Sequence, residues 1–335
     1  MNDIPVMNHK STDILISENI QGAAVDALGA RFRVVSQPDL WKDPAQLAEK
    51  IKNCRALIVR NQTPVTAAII DAAQELLVIG RAGVGLDNVD YEHADKAGIV
   101  VSFTPDQNAI SVAEIAIGMM LSLARFIPAA DADTKKGNWN RQRFVGTELY
   151  GKTLGIVGAG KIGYLTARRA MAFGMKVLAY DPFLSRDNIL LSEVQAELVE
   201  LDELLARADV VSCHLPATPR TVGLLNRERF MSMKPGAFFI NTSRGQVVVE
   251  QDLVEALKAG VVGGAGLDVR SKEPPQVGEL ETMPNVILLP HIAAFTREAQ
   301  DRVTVAICED VARVLDGKPA LNAVKRTTPT PRVTS

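Results

Sequence analysis

The sequence has few cysteines and no pattern that would pair them. Only three occur among 335 residues, and none stands in a C-x-x-C arrangement typical of a metal or redox site. Cys54, Cys213 and Cys308 are far apart and odd in number, so we expect reduced, mostly buried thiols in a cytoplasmic protein. The first residues contain no basic flank leading into an apolar run, and no signal peptide is predicted.

The chain also lacks an excess of either charge. Its 37 basic and 39 acidic residues give a net charge of −2, which offers no reason to expect nucleic acid or an anionic membrane as a partner. The four histidines include no pair at metal-ligand spacing, so no metal site is expected. One apolar stretch, residues 109–130, contains Glu114 and Arg125 and is interrupted by Pro128. This pattern favours a long buried helix, predicted at residues 110–126, over a membrane span.

The sequence does contain a regular alternation of short apolar runs and helical patterns. A chain of this length can bury a large core and predicts about two domains. Short apolar runs alternate with helical patterns over the first hundred residues, and a second series begins at Thr153. Such alternation predicts an α/β fold with parallel sheets covered by helices. Strands are predicted at residues 13–17, 32–35, 56–59 and 77–79, and then at 154–157, 176–180, 210–214, 237–241, 264–267 and 286–289.

The order of the two series predicts a discontinuous domain. A complete α/β series precedes the second one, and a helix predicted at residues 296–315 follows it. We therefore expect two doubly wound parallel-sheet domains, with the second inserted into the first. The first would comprise residues 1–106 and 297–325, and the second residues 107–296. The polar, proline-containing tail at residues 326–335 is expected to be disordered.

The second series opens with the most informative motif of the chain. An apolar strand leads into Gly158-Ala-Gly-Lys-Ile-Gly163, a helical pattern and a second strand ending at Asp181. This order is the dinucleotide-binding fingerprint, in which Gly158 allows the tight turn and Gly160 lets the backbone approach the pyrophosphate. The N-terminus of the helix would face the phosphates. Asp181 would accept hydrogen bonds from the ribose hydroxyls and repel a 2′-phosphate, which favours NAD over NADP.

Polar residues follow several strands of the second series. His291 comes after one apolar strand and is the best acid–base candidate in the chain. Arg244 and Glu273 follow two other strands, and either residue alone could be a solvated loop charge. Because parallel strands place their carboxyl ends at one edge of the sheet, we expect these side chains to lie together. His214 also ends a strand, where it could line a cofactor cleft or simply pack.

These residue types suit hydride transfer between nicotinamide and a small oxo acid. An imidazolium can donate a proton to the carbonyl oxygen on which negative charge develops. A carboxylate beside the imidazole holds it in one tautomer and favours the protonated ring. An arginine can clamp the substrate carboxylate or carbonyl oxygen with fixed planar donors.

Together these motifs resemble the D-isomer-specific 2-hydroxyacid dehydrogenases, over nearly the whole chain to about residue 324. The similar blocks are residues 155–163, 214–216, 241–245, 266–269 with 273–275, and 290–291. The resemblance implies that Arg244, Glu273 and His291 are catalytic. It also implies a Rossmann NAD-binding domain inserted into a flavodoxin-like substrate domain, and a homodimer formed through the NAD-binding domains. The expected cofactor-binding residues are Gly158, Gly160, Lys161, Ile162, Gly163, Asp181, His214, Pro216, Thr242, Ser243 and Asp268.

Within this family the chain is most similar to the 3-phosphoglycerate dehydrogenases, through residues 57–60, 80–90, 108–114 and 139–148. The resemblance implies that the backbone of residues 81–85 binds the substrate carboxylate. Arg60 and Arg141 are candidates for a second anionic group. The expected substrate-binding residues are Arg60, Arg81, Gly83, Val84 and Asn108. Departures from the usual pattern, including Val84 and the bulky Phe295 near His291, leave the side chain of the acid open.

The expected activity is NAD-dependent oxidation of a small D-2-hydroxy acid or reduction of its 2-oxo acid. Candidate substrates are 3-phosphoglycerate, hydroxypyruvate and glyoxylate, so a hydroxypyruvate or glyoxylate reductase is the alternative enzyme. Glu273 argues against formate, because glutamine replaces the acid in formate dehydrogenases of the family. Two further alternatives are an NADH-sensing binding protein, as in family-related corepressors, and an enzyme that uses a different hydride donor such as phosphite.

Overall fold

The computed structural model describes residues 12–185 and 187–324. These residues form two compact units. The first unit contains the described residues up to 108 and those from 296 onward, and the second contains the residues from 109 to 295. The first unit is thus discontinuous in sequence. The tail predicted at residues 326–335 lies outside the described residues.

The first unit contains a parallel sheet of five strands. These are β1 Ile14–Ile16, β2 Val34–Ser36, β3 Ala56–Val59, β4 Val78–Arg81 and β5 Val100–Ser102. All four neighbouring pairs are parallel, and the strand order is β2-β1-β3-β4-β5. This is the flavodoxin-like doubly wound order. The sequence had predicted β1 to β4 within two residues at each end but had missed β5.

The second unit contains a parallel sheet of seven strands. These are β6 Thr153–Val157, β7 Lys176–Tyr180, β8 Glu197–Leu198, β9 Val210–Cys213, β10 Ala237–Asn241, β11 Val262–Leu267 and β12 Val286–Leu288. Their order is β12-β11-β10-β9-β6-β7-β8, and every pair is parallel. The order reverses between β6 and β9, as in a Rossmann domain. The predicted fold class, two doubly wound parallel sheets, is confirmed.

Twelve α-helices among the described residues connect and cover the strands. The first unit has α1 Ala23–Gly29, α2 Pro44–Ile51, α3 Ala67–Ala72 and α4 Tyr91–Lys96. The second has α5 Ala109–Arg125, α6 Ile127–Lys135, α7 Lys161–Ala172, α8 Ile189–Glu193, α9 Leu201–Arg207, α10 Arg227–Met231 and α11 Glu250–Lys258. The last, α12 Arg297–Leu315, belongs to the first unit.

Strand β3 explains why the first unit needs helices on both faces. All four of its residues are buried, and successive side chains point to opposite sides of the sheet. Leu57 and Val59 pack in a cluster with residues of α2 and α3. Ala56 and Ile58 pack in a second cluster with residues of α1 and α12. A strand buried on both faces reads as a continuous apolar run rather than an alternating one.

The helix predicted at residues 110–126 is observed as α5 within one residue at each end, and the apolar stretch at residues 109–130 continues beyond it into a second helix, α6. Helix α5 ends at Arg125, Phe126 takes a left-handed conformation with φ of 56°, and α6 begins at Ile127. Pro128 lies in the first turn of α6, where a missing N–H has no helical partner to lose. Among the described residues no single helix is long and apolar enough to cross a membrane, although this bent pair would pass on length and composition.

A buried carboxylate fixes the end of the first unit. Asp310 on α12 is fully buried and accepts four hydrogen bonds. Its donors are the Ser102 hydroxyl at 2.5 Å, the Leu321 N–H at 2.6 Å, the Asn322 N–H at 3.0 Å and the Asn322 amide at 3.2 Å. The carboxylate therefore joins α12, strand β5 and the segment that follows the helix.

We expect Asp310→Ala to destabilise the protein by about 3 kcal/mol, because it strands several buried donors without an acceptor. Urea denaturation followed by circular dichroism measures this. The control is Glu309→Ala, which removes an exposed carboxylate from the neighbouring position of the same helix and should change stability by less than about 0.5 kcal/mol. Equal losses in the two variants would contradict the role given to Asp310.

Candidate active site

The candidate site in the second unit is built where neighbouring strands end. His214 directly follows β9, Arg244 lies three residues beyond β10, and Asp268 directly follows β11. His291 lies three residues beyond β12. Because β9 to β12 are adjacent and parallel, these four residues, drawn from 78 positions of sequence, reach the same edge of one sheet.

Glu273 and His291 form a hydrogen-bonded pair. Nδ1 of His291 lies 2.7 Å from Oε2 of Glu273, and each side chain is 36% exposed. The other carboxylate oxygen, Oε1, accepts the N–H of Arg270 at 3.0 Å. Two independent donors thus fix both oxygens of Glu273, while one third of each partner's surface stays open to solvent.

The surroundings of Glu273 keep it ionised. Partial burial raises the pKa of this carboxyl, but the hydrogen bonds from His291 and from the Arg270 N–H oppose it. The positive charges of His291 and Arg244 add to that effect, and the resulting pKa lies below the ordinary value. An ionised Glu273 can only accept, so Nδ1 of His291 carries a proton. Nε2 is then the ring nitrogen left to exchange a proton with a substrate.

Asp268 holds the turn that carries His291. Its carboxylate is buried, and its two oxygens accept the N–H groups of Ile292 at 2.8 Å and Ala293 at 2.9 Å. Its carbonyl accepts the N–H of His291 at 2.8 Å. His291 itself has φ of 56°, a conformation that non-glycine residues seldom adopt without such support. Burial raises the pKa of Asp268 despite these hydrogen bonds. Its predicted contact with the cofactor stays a prediction.

Arg244 is held through its main chain and through its side chain. Its carbonyl accepts the side-chain amide of Asn241 at 3.0 Å, and its Nη1 donates to the carbonyl of Ser243 at 2.7 Å. The Ser243 N–H and hydroxyl both donate to Asn241 as well, at 3.0 and 2.7 Å. Asn241 therefore organises the whole turn, and the half-buried guanidinium of Arg244 lies within electrostatic range of Glu273.

His214 has different surroundings from His291. Its ring nitrogens lie 3.0 Å from the Ser212 hydroxyl and 3.3 Å from the Thr242 hydroxyl. Burial lowers the pKa of this imidazole to about 3, so the ring is neutral near pH 7. A neutral ring held by two hydroxyls is a poor proton donor. Of the two candidates at strand ends, His291 is therefore the one suited to acid–base chemistry.

The glycine-rich turn has room for a phosphate group where the sequence predicted it. Gly158 has φ of 94°, and a Cβ on Gly163 would lie 2.3 Å from the carbonyl oxygen of Gly158. Nothing lies within 4 Å of the position that a Cβ on Gly160 would take. Helix α7 begins at the next residue, Lys161, so its free N–H groups adjoin this open space. The turn thus fits the pyrophosphate of a dinucleotide.

Asp181 lies beside the same turn. Its two oxygens accept the N–H groups of Ala159 at 3.0 Å and Phe183 at 2.9 Å. These contacts place its carboxylate next to the glycine-rich turn, at the end of β7. The remaining predicted cofactor residues also follow strands of this sheet. Lys161 and Ile162 begin α7, the helix after β6, and Pro216 is exposed after β9. Thr242 and Ser243 are buried directly after β10.

The predicted substrate-binding residues belong to the first unit. Arg60 follows β3, and burial lowers the pKa of its guanidinium while Glu18 opposes that effect. Arg81 ends β4 and is 8% exposed. Its Nη1 lies 1.6 Å from the position that a Cβ on Gly83 would take, and Gly83 has φ of 147°, a backbone conformation that favours glycine. Val84 follows in the same loop. Asn108 is also buried, with its Oδ1 unpartnered among the described residues.

Glu18 is a residue of this region that the sequence analysis missed. Its carboxylate is buried and accepts the N–H groups of Arg60 at 2.8 Å, Gln62 at 3.1 Å and Thr63 at 2.9 Å. The Thr63 hydroxyl adds a fourth hydrogen bond at 2.8 Å. Glu18 thus fixes the loop that contains Arg60. Its signal in the sequence was an acidic residue directly after an apolar strand, the same pattern that pointed to Asp181.

In residues 12–185 and 187–324, no group of three or more histidine, cysteine or acidic side chains could hold a metal ion.

The fold and these features define a dinucleotide-binding α/β protein with a hydrogen-bonded histidine–glutamate pair at its sheet edge. Residues 117–293 match the family model described as D-isomer specific 2-hydroxyacid dehydrogenase, NAD binding domain. The chain belongs to this family, as its motifs had predicted, and the predicted cofactor NAD is confirmed. The chain is also 44% identical, over 93% of its length, to the D-3-phosphoglycerate dehydrogenase of Archaeoglobus fulgidus. It spans 59% of that relative's length.

Two solved structures extend the comparison. The TT0316 protein from Thermus thermophilus is 36% identical, with a TM-score of 0.87 over 93% of this chain and 100% of its own. A glyoxylate reductase from Paecilomyes thermophila is 29% identical, with a TM-score of 0.87 over 94% of this chain and 98% of its own. The architecture is therefore shared with solved proteins over nearly the full chain. The individual roles of the site residues stay predictions.

We expect Asp181→Asn to narrow the difference in affinity between NADH and NADPH by about tenfold, because it removes the negative charge that would repel a 2′-phosphate. An amide oxygen can still accept one of the two N–H bonds, so the turn should persist. Calorimetric titration with both cofactors measures the two dissociation constants. Asp202→Ala removes an exposed carboxylate elsewhere in the same unit and is the control. Unchanged discrimination in Asp181→Asn would show that other residues set it.

Proposed function

We propose that the protein catalyses NAD-dependent oxidation of a small D-2-hydroxy acid, or reduction of the matching 2-oxo acid. The observation that carries this proposal is the 2.7 Å contact between His291 and Glu273. It stands at the edge of the sheet that also bears the glycine-rich turn, in a chain of the 2-hydroxyacid dehydrogenase family. A proton donor, a charge partner and a nucleotide-binding turn are the parts that this reaction requires.

Bound at the glycine-rich turn of residues 158–163, NADH would supply the hydride in the reductive direction. His291, protonated on both nitrogens, donates the proton on Nε2 to the substrate oxygen. Glu273 stabilises the imidazolium through Nδ1 and keeps the ring in one orientation. Arg244 offers a planar pair of donors to the substrate carboxylate or carbonyl oxygen. In the oxidative direction the neutral ring accepts the hydroxyl proton at the same nitrogen.

For the substrate we propose 3-phosphoglycerate and its 2-oxo form. The name of the Archaeoglobus relative, at 44% identity, supports this choice over other small acids. Arg60, held by Glu18 and half-buried, is the first candidate for the phosphate. The exposed Arg141 in the second unit is the other. A hydroxypyruvate or glyoxylate reductase is the second candidate function, favoured by the similarity to the Paecilomyes enzyme.

We also propose a cytoplasmic homodimer formed through the second unit. All three cysteines are buried and free, and burial raises the pKa of Cys54 to about 11 and of Cys308 to about 12, as suits unreactive thiols. The segment around α6 leaves large apolar side chains exposed, among them Ile127 at 52%, Trp139 at 79% and Val145 at 72%. A second copy covering this segment would bury them. A light-scattering mass equal to one chain would contradict the dimer.

The first test is NADH oxidation with a panel of 2-oxo acids: phosphohydroxypyruvate, hydroxypyruvate, glyoxylate, pyruvate and sulfopyruvate. We expect turnover, with phosphohydroxypyruvate preferred. His291→Ala should lower kcat by a factor of about a thousand or more while changing NADH affinity less than twofold, because the ring serves proton transfer. Absence of turnover with every acid would favour the NADH-sensing binding protein. Preference for an uncharged tail would favour the hydroxypyruvate and glyoxylate reductases.

We expect Arg244→Lys to raise KM for the 2-oxo acid at least tenfold, because an ammonium cannot reproduce the planar two-donor clamp. Steady-state kinetics at saturating NADH measures the change. Arg227→Lys alters an exposed arginine of the same unit, paired with Glu255, and should leave KM within twofold. A nearly unchanged KM in Arg244→Lys would remove Arg244 from substrate binding.

A further inference from the structure

The loop that carries Glu273 has little apolar packing to hold it in place. Residues 268–279 between β11 and the short 3-10 helix Leu280–Thr282 form no regular helix or strand. Nine consecutive residues, 271–279, are exposed. An exposed irregular segment of this length gains little from apolar burial to offset its conformational entropy. Yet Glu273, in its middle, must stay within hydrogen-bond distance of His291.

One buried charge stands at the start of this exposed run. The side chain of Arg270 is 10% exposed and contacts two glutamates from outside the loop. It donates to Glu250 through Nε at 3.3 Å and through Nη2 at 3.0 Å. Its Nη1 donates to Glu281. Because the guanidinium is planar, these hydrogen bonds to two carboxylates fix the direction of the side chain as well as its position.

The two glutamates also bind the loop directly. Glu250, in the first turn of α11, accepts the N–H of Ser271 at 2.5 Å. Glu281 accepts the N–H of Gly278 at 2.8 Å. Arg270 thus links two carboxylates that hold the exposed run near both of its ends. The pKa values agree with an ionised cluster: burial works against the charged forms of Glu250 and Arg270, but their mutual hydrogen bonds leave Glu250 below and Arg270 above the ordinary value.

The backbone of Arg270 touches both halves of the candidate site. Its N–H donates to Oε1 of Glu273 at 3.0 Å. Its carbonyl carbon and oxygen would lie 1.9 and 2.0 Å from a Cβ on Gly245, the residue that follows Arg244. Only glycine permits this approach. The position of Arg270 therefore sets where Glu273 stands and how closely the turn of Arg244 packs against it.

We propose that Arg270 is a positioning residue for the reaction: its ion pairs with Glu250 and Glu281 hold the loop that places Glu273 against His291. This inference rests on the proposed function for its kinetic consequences. Its structural consequence, an ordered loop at residues 268–279, can be measured without turnover.

The decisive variant is Arg270→Met, which keeps most of the side-chain length but removes the charge. The carboxylates of Glu250 and Glu281 would then lose the cation that links them, and the loop would be held only by their separate hydrogen bonds from the Ser271 and Gly278 N–H groups. We expect kcat for 2-oxo acid reduction to fall at least tenfold, since small displacements of catalytic groups cost that much or more. NADH affinity should stay within twofold. Arg270→Lys restores the positive charge but not the planar set of donors, and it should recover part of the lost kcat.

The pH profile separates positioning from general destabilisation. Glu273 faces the charges of His291, Arg244 and Asp268, and its carboxylate favours the protonated ring that reduction requires. In Arg270→Met this carboxylate no longer holds its place. The pKa of Glu273, which its contacts with His291 and with the Arg270 N–H hold below the ordinary value, should therefore rise in this variant, and the acid side of the kcat–pH profile should move to higher pH. A merely less stable enzyme would keep the parental profile below its unfolding temperature.

Arg207 provides a matched control. It also bridges two glutamates, Glu197 and Glu203, but its side chain is 43% exposed and lies on α9. We expect Arg207→Met to leave kcat, the pH profile and NADH affinity unchanged. Hydrogen exchange measured by mass spectrometry on the peptide at residues 268–281 should rise in Arg270→Met and not in Arg207→Met.

Several results would overturn the proposal. The proposal would be wrong if Arg270→Met had the kcat and pH profile of the wild-type protein. It would also be wrong if hydrogen exchange in residues 268–281 were the same in both proteins. If Arg270→Met does not fold, Glu250→Gln decides by the same two readouts, because it neutralises one partner with little change of shape. If the wild-type protein turns over no 2-oxo acid, the proposed function fails, while faster exchange in Arg270→Met would still support the attachment of the loop.

Discussion

Parallel pairing of β9, β10, β11 and β12 is the constraint on which the candidate site depends. Each strand delivers its carboxyl end to the same edge of the sheet, so the residues that follow it are brought within reach of their counterparts. Glu273 and His291 are 18 positions apart and meet at 2.7 Å for this reason. An antiparallel neighbour would send its following loop to the opposite edge. The chemistry at this edge therefore depends on the topology before it depends on any single side chain.

The sequence predicted well those features that rest on local pattern. Apolar runs located β3, β7 and β10 at their observed bounds, because strands buried on both faces are continuously apolar. The glycine spacing from Gly158 to Gly163 located the nucleotide-binding turn. Glu273 and His291 each follow a strand, and parallel strands place their carboxyl ends at one edge of a sheet. This assumption alone was enough to predict that the two side chains lie together.

What the sequence did not predict depends on contacts between distant segments. The sequence ended a helix near Phe126 but did not predict that a second helix, α6, begins directly after it, with Pro128 in its first turn. Glu18 and Arg270 look like ordinary loop charges in the sequence. Their roles appear only when the chain brings Thr63 to the first and Glu250 to the second. Short pieces such as β8 contain too few residues for a period to be read.

The discontinuous first unit has a consequence for how the protein is made. Helix α12 packs on β4 so closely that a Cβ on Gly80 would lie 2.9 Å from Val311. It also contributes Val303, Ile307 and Val311 to the cluster that covers one face of the first sheet. During synthesis on the ribosome, that face stays uncovered by α12 until roughly 190 further residues have been made. This takes on the order of 10 to 40 s at typical elongation rates. The residues of the inserted unit are contiguous, so this unit can complete its own core before α12 is available to cover the first sheet.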